Sequence, residues 1–307
     1  MIREIQPKSI RWVDVINATP KELETLKGRF GFLPLHLKDF ASKGQRPKLD
    51  ETPGYLFLVL LFPVYDRKAR EIVPSEIDFA IGSDYVVTVH DGKLRGLTEL
   101  FDLIEVNGPQ RNDLLNGGPV GLLLRSLERL LAACYPMLDH ISLDLKTIEK
   151  KIFRGEERRM VSEILISRRN ITDFRRIMQA HKNTLKKLIT ALRLRGRIQK
   201  PNQQLSFEQL IDNAKEIWEQ LEGHRETVEA LYGTNESLIS YQLSTVMKNF
   251  TTLSVMIFAM TLVATLFAIG VSGTPFLGLR NAFWYIVGLE LILAGSLYYT
   301  FKHKRWL

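Results

Sequence analysis

The stretch MKNFTTLSVMIFAMTLVATLFAIGVSGTPFLG, Met247 to Gly278, decides the architecture. Lys248 is its only charge, and Leu253 to Val271 forms an uncharged run of 19 residues. A helix of that length crosses about 30 Å of hydrocarbon. Hydroxyl residues recur through the stretch, and it closes on a turn rich in Gly and Pro. It is therefore either a lipid anchor or the wall of a pore. A second apolar run, Ala282 to Phe301, is broken only by Glu290. Two membrane spans are expected.

The flanks set the orientation. Lys248 precedes the first span, Lys302, Lys304 and Arg305 follow the second, and the loop between carries only Arg280. Basic residues remain cytoplasmic, so both termini of this multi-pass inner-membrane protein are expected in the cytoplasm. Met1 to Ile10 is polar and of mixed charge, so no signal peptide is expected there. The single Cys134 allows no disulfide within the chain and is read as a packing residue.

Outward from the spans, residues 1–118 alternate strand and helix signals and predict a cytoplasmic α/β domain with a mixed sheet. IRWVDVIN, YLFLVLLFPVYD, EIDFAIG and DYVVTVHDG read as strands. TPKELETLKGRFG reads as a helix with Thr19 as N-cap, Pro20 at the first position, Glu22 completing a capping box and Gly31 past the end. Residues 119–250 read as a helical stalk, with one helix over Val120–Phe153 and a second over Glu156–Arg195. A third begins near Ser206 and meets no firm stop before Gly270. At ~1.5 Å per residue it would be roughly 100 Å long, so it is expected to run from the cytoplasmic part into the first span and to be bundled with neighbours or copies. The remaining segments are the first span at 251–272, an outer loop at 273–281, the second span at 282–302 and a basic cytoplasmic tail at 303–307.

From Lys146 to Lys200 there are 17 Lys/Arg against five Asp/Glu. A solvated helix surface or a face toward an anionic membrane is the expected use, since no nucleic-acid motif accompanies the charge and no nucleic-acid partner is expected. Catalysis has no support. The six histidines are scattered without metal-binding spacing, and there is no Walker glycine loop or nucleophile elbow. Asp139 and Asp144 share a helix with no matching base and read as solvated or ion-paired. No cofactor is expected other than a transported divalent cation, and no metal site is assigned.

Ser244, Met247, Thr251, Ser254, Phe258, Thr261, Thr265 and Ala268 alternate three and four apart and form one helical stripe. Five of these eight are hydroxyl residues, an unusual composition for a face turned to lipid. Such hydroxyls bond back to their own helix, bond a neighbour or line water. The stripe is read as pore-lining, with a dry helix seam as the alternative. Copies of Phe258 around an axis would make an apolar constriction. Glu290, an intramembrane carboxylate, is a functional candidate by default. It is expected to face the first span, with Thr261 or Thr265 as hydrogen-bond partners.

With the ending FKHKRWL, this stretch resembles the CorA magnesium-transporter family, including its ZntB branch. RPKLDETPGYLFLVLLFPVYD and IGSDYVVTVHDG are similar to that family's cytoplasmic domain, so the resemblance covers nearly the whole chain. It implies a funnel-shaped homopentamer in the lipid bilayer, with the first span lining the pore and the second surrounding it. Lys302, His303, Lys304 and Arg305 would form a basic ring at the inner mouth. The chain departs from the family at the outer mouth, where a Gly-Met-Asn or Gly-Val-Asn signature is expected. A gapless alignment, which also fits Pro275 to the family's loop proline, places Ala268-Ile269-Gly270 there. A two-residue shift places Gly270-Val271-Ser272. The family's pore-entry asparagine falls on Ser244. Aspartates that bind magnesium between protomers in some members fall on Gln209 and Gly233, with Asp212 nearby, which implies weak magnesium regulation there. The expected function is passive passage of divalent metal ions with altered selectivity. The alternative is a protein on the CorA scaffold that conducts no metal and serves as scaffold, sensor or a pore for another solute.

Overall fold

The computed structural model describes residues 1–6, 10–42, 44–106, 117–198, 201–269, 275 and 279–304. The chain divides into two compact units, Met1–Tyr232 and Gly233–Leu307.

The first unit is built on a mixed six-stranded sheet in the order β1-β2-β6-β5-β4-β3. The strands are β1 (Ile2–Ile5), β2 (Arg11–Ile16), β3 (Lys48–Glu51), β4 (Leu56–Asp66), β5 (Glu71–Ile81) and β6 (Tyr85–His90). Only β2 and β6 pair in parallel, and the other neighbours are antiparallel. Helices α1 (Pro20–Phe30) and α2 (Pro34–Ala41) follow β2. The caps of α1 are those its sequence predicts. The Thr19 hydroxyl accepts from Glu22 N–H, Glu22 reaches back to Thr19 N–H at 2.8 Å, and Gly31 closes the helix at φ 64°. Alternate residues of the central strands point to opposite faces. One face packs Val13, Val15, Phe57, Val59, Ala80, Val87 and Val89 with Leu26, Phe32 and Phe40.

The other face buries a polar centre. Asp14 Oδ2 accepts from Arg3 at 2.7 Å, and its Oδ1 accepts from the Thr88 hydroxyl at 2.6 Å. His90 Nε2 lies 3.0 Å from the same Oδ1 and Trp12 Nε1 donates to Thr88 at 3.1 Å. His90 Nδ1 accepts from Gly92 N–H, which leaves Nε2 to donate to Asp14. Burial pushes the Asp14 carboxyl up, but the hydrogen bonds from His90, Thr88 and Arg3 outweigh it and hold it below the usual range.

Helices α3 (Arg95–Val106), α4 (Gly118–Ala132), α5 (Tyr135–Ile152), α6 (Glu157–Met178) and α7 (His181–Leu194) follow. The two long helices expected over 120–153 and 156–195 are therefore each divided. The first breaks at Ala133–Cys134 because Pro136 lacks an N–H and its ring crowds the carbonyl four residues back. Cys134 is buried there, and burial pushes its thiol up to about 12, which leaves it inert. The second breaks at Gln179–Ala180, where no Pro or Gly marks the site. The following His181 is wholly buried against the Phe62 ring at 4.9 Å, and burial holds its imidazole down at about 4.

Helix α8 runs unbroken over 68 residues, Pro201–Ala268. Its first turns bury Phe207, Leu210, Ala214, Ile217, Leu221, Val228 and Leu231, a stripe at three- and four-residue spacing with one seven-residue step from Leu221 to Val228. Truncating Ile217, which is fully buried, is expected to cost about 2–5 kcal/mol. Urea unfolding of Ile217→Ala checks this, and a midpoint equal to wild type would remove the stripe as a source of stability.

The basic excess over 146–200 is partly answered across this packing. Arg168 pairs with Glu229 at 2.8 Å, Arg193 with Glu208 at 2.9 Å, and Arg175 with Glu222. Arg195 pairs with Glu51 at 3.3 Å, and Arg197 donates to the carbonyls of Ile81 and Gly82. Exposed pairs of this kind contribute at most about 1 kcal/mol each, so they set helix register more than stability.

In the second unit the remainder of α8 is accompanied by α9 (Ala282–His303).

Candidate membrane pore

Among the described residues two helices are long and apolar enough to span a membrane, Asn202–Ala268 through its C-terminal part and Ala282–His303. Their apolar side chains lie open. Leu253, Leu262, Leu266, Leu291 and Ile292 are each more than half exposed. A continuous apolar surface of this extent calls for lipid or further protein around it. Helix α9 carries Trp284 and Tyr285 near one end and Tyr298 and Tyr299 near the other, all exposed. Trp284 and Tyr299 are separated by ~22 Å along the axis, the pattern of aromatic belts at two interfaces. The signal for these belts is the residue types alone, which a reading by charge and run length passes over.

Each helix has one stripe that is covered. On α8 it runs through Thr252, Met256, Ala259, Val263 and Phe267, and on α9 through Ala282, Ile286, Glu290, Leu293, Leu297 and Phe301. Phe258 lies roughly 140–160° round the helix from Met256 and Val263. All eight residues of the hydroxyl-rich stripe, Ser244, Met247, Thr251, Ser254, Phe258, Thr261, Thr265 and Ala268, are exposed. Phe258 is its most open large side chain, at 71%.

The hydroxyls on that stripe are partly committed. Thr261 donates to Ile257 O at 2.8 Å, and Thr265 reaches the carbonyls of Thr261 and Leu262 at 2.9 Å. A hydroxyl that gives its proton to its own helix turns oxygen lone pairs outward, so these threonines present acceptors. Water around a cation presents hydrogens, and acceptors match it.

Glu290 is half-buried on the covered stripe of α9. Thr261 and Thr265 lie on the exposed stripe and give their protons to their own helix, and neither bonds Glu290, contrary to the pairing expected from the sequence. Of the outer-mouth residues, Ile269 and Pro275 are exposed. Gly270, Val271 and Ser272 lie outside the described residues, as does Arg305 of the basic ring. Lys302 sits 5.8 Å from the centre of the Tyr298 ring, and Lys304 is exposed. Gln209 and Asp212 are exposed on α8.

Comparison with known proteins agrees with this geometry. Residues 7–303 match the family described as CorA-like Mg2+ transporter protein. YfjQ of Bacillus subtilis (strain 168) is 22% identical over 96% of this chain and 89% of its own length. The cobalt/magnesium transport protein CorA of Thermotoga maritima is 21% identical, with 96% and 83% covered. The structure of the CorA magnesium transporter from Methanocaldococcus jannaschii superposes with a TM-score of 0.82 at 18% identity, covering 99% of this chain and 93% of that one. The family match runs from the sheet domain through both apolar helices, and the chain therefore belongs to the CorA-like Mg2+ transporter family.

Proposed function

We propose that this protein is a passive inner-membrane channel for divalent metal cations, assembled as a homopentamer around the hydroxyl stripe of α8. The observation that carries this reading is the placement of that stripe, fully exposed on the single chain and turned away from the face that is covered. Copies of α8 that bury the stripe around an axis would line it with outward lone pairs and one ring of Phe258. Helix α9 then meets lipid, with residues 1–250 and the tail at 303–307 in the cytoplasm and Lys302, Lys304 and Arg305 around the inner mouth. Strongly hydrated dications give up water reluctantly, and hydroxyls suit the passage of an ion that keeps its shell. Ile269, Gly270, Val271, Ser272 and Pro275 would form an outer mouth without asparagine, so selectivity among dications is expected to be altered.

The test is uptake of magnesium, cobalt, nickel and zinc into liposomes holding the purified protein. Uptake above empty vesicles for at least one metal is the expected result. A second reading, a CorA scaffold that conducts no metal, is favoured by the Ala268-Ile269-Gly270 mouth, and no uptake for any metal would establish it over the channel.

Glu290 is assigned to the interface of the two spans, where its carboxyl couples proton occupancy to ion passage. Gln retains the hydrogen-bonding shape without titrating. Glu290→Gln is therefore expected to flatten the dependence of uptake on pH while leaving assembly intact. Full pH dependence in that variant would leave Glu290 a purely structural contact.

A further inference from the structure

The sheet face beneath α1 and α2 is apolar except at one central position. Asp78 lies on β5 between Val59 of β4 and Val89 of β6. It is 3% exposed, and its Oδ1 has no hydrogen-bond partner. Burial first, and then the nearby Glu76 and Asp39 charges, push its carboxyl well above the usual range. A buried carboxyl left in that condition costs stability unless something completes it.

Asp78 opens on a cavity of about 170 Å³, whose walls include Asn17, Phe40, Ser42, Glu76 and His90. Glu76 stands two residues along the strand, on the same face. Its Oε2 accepts the N–H groups of Gly44 and Gln45 at 2.7 and 2.8 Å. Among the described residues no Lys or Arg lines the cavity. Lys48, whose charge acts on Asp78, is held by Asp39 at 2.7 Å and Asp50 at 3.0 Å. Both nitrogens of His90 are engaged, by Gly92 and Asp14. Ala41 and Ser42, at the negative C-terminal end of α2, complete the wall.

We propose that this cavity binds a magnesium-sized divalent cation, held by the carboxylates of Asp78 and Glu76 with water filling the rest of its shell. Two carboxylates balance a double positive charge and leave no excess in the buried site. The volume holds about five waters at ~30 Å³ each, enough for a partly hydrated ion and too little for a nucleotide. Among the described residues no group of three or more His, Cys, Asp or Glu forms a closed metal cage. One or two carboxylates with several waters is the way magnesium is held, and it is not the way zinc is held. The ion would supply the partner that Asp78 Oδ1 lacks, and through Glu76 it would tie the segment at Gly44–Gln45 to β5. This site lies in the sheet domain and does not depend on the pore reading.

The experiment counts Mn2+ bound per chain by electron paramagnetic resonance, using the full-length protein in detergent, and records the melting temperature with and without the ion. Asp78→Asn keeps the shape and removes the charge. The expected result is one fewer Mn2+ per chain and a smaller ion-dependent rise in melting temperature, with no loss of stability in the ion-free protein. Ions held elsewhere are common to both proteins and cancel in the difference. Glu76→Gln, at a less buried position, is expected to weaken the same ion about tenfold, and it decides the matter if Asp78→Asn does not fold. An unchanged count and affinity in the folded variants would overturn the proposal.

Discussion

Replacing Phe258 by Ala is expected to raise metal flux into liposomes by roughly tenfold. The effect is steric and hydrophobic together. On a stripe otherwise made of Ser, Thr, Ala and one Met, Phe258 is the bulkiest side chain, and it is 71% exposed on the single chain. Copies of it around a narrow axis would both occlude the lumen and repel water, and a hydrated dication must pass with its water. Lowering that barrier by about 1.4 kcal/mol accelerates passage about tenfold. Phe258→Leu, smaller but still apolar, is expected to fall between the two. Equal flux through all three proteins would show that the narrowest point lies elsewhere, and lower flux through Phe258→Ala would show that the ring supports the assembly and does not close it.

The second large effect belongs to the buried charge centre of the sheet domain. Asp14→Ala leaves Arg3, Thr88 and His90 each without the acceptor they share. Removing one partner of a buried ion pair costs about 3–5 kcal/mol, because the remaining charge stays desolvated. The melting temperature of the detergent-purified protein is expected to fall by roughly 10 °C. A pH signature goes with it. The Asp14 carboxyl is held below its usual range in the folded protein, so its contribution is present above the unfolded value of about 3.9 and is lost as pH falls through the folded value. Wild type is therefore expected to lose stability more steeply than Asp14→Ala in acid. Parallel curves below pH ~4 would mean that the Asp14 charge is not what holds Arg3 and His90 in place.

Much of the architecture is a local property of the chain. The two spans follow from the length of uncharged runs. Helix α1 follows from Thr19, Pro20, Glu22 and Gly31, which act on backbone groups within a few residues of themselves. The uninterrupted run into Ala268 follows from the absence of Pro and of strong stop signals after Pro201. The family was legible for the same reason, since the motif-bearing stretches are contiguous.

Contacts between distant segments were not legible. Asp14, Thr88 and His90 meet because β2 pairs in parallel with β6, and 74 to 76 residues separate them in the sequence. The arginines of α6 and α7 read as a bare basic run until the folding of α8 beside them brings Glu208, Glu222 and Glu229 into reach. Asp78 was one acidic letter in the apolar run EIDFAIG, and only the burial of both neighbouring strands shows that its Oδ1 has no partner. The stripe containing Phe258 was visible as a spacing, but which face of α8 is covered depends on tertiary packing. Local signals act through the backbone over one helical turn or one strand, whereas the satisfaction of a buried charge depends on which segments the sheet order brings together.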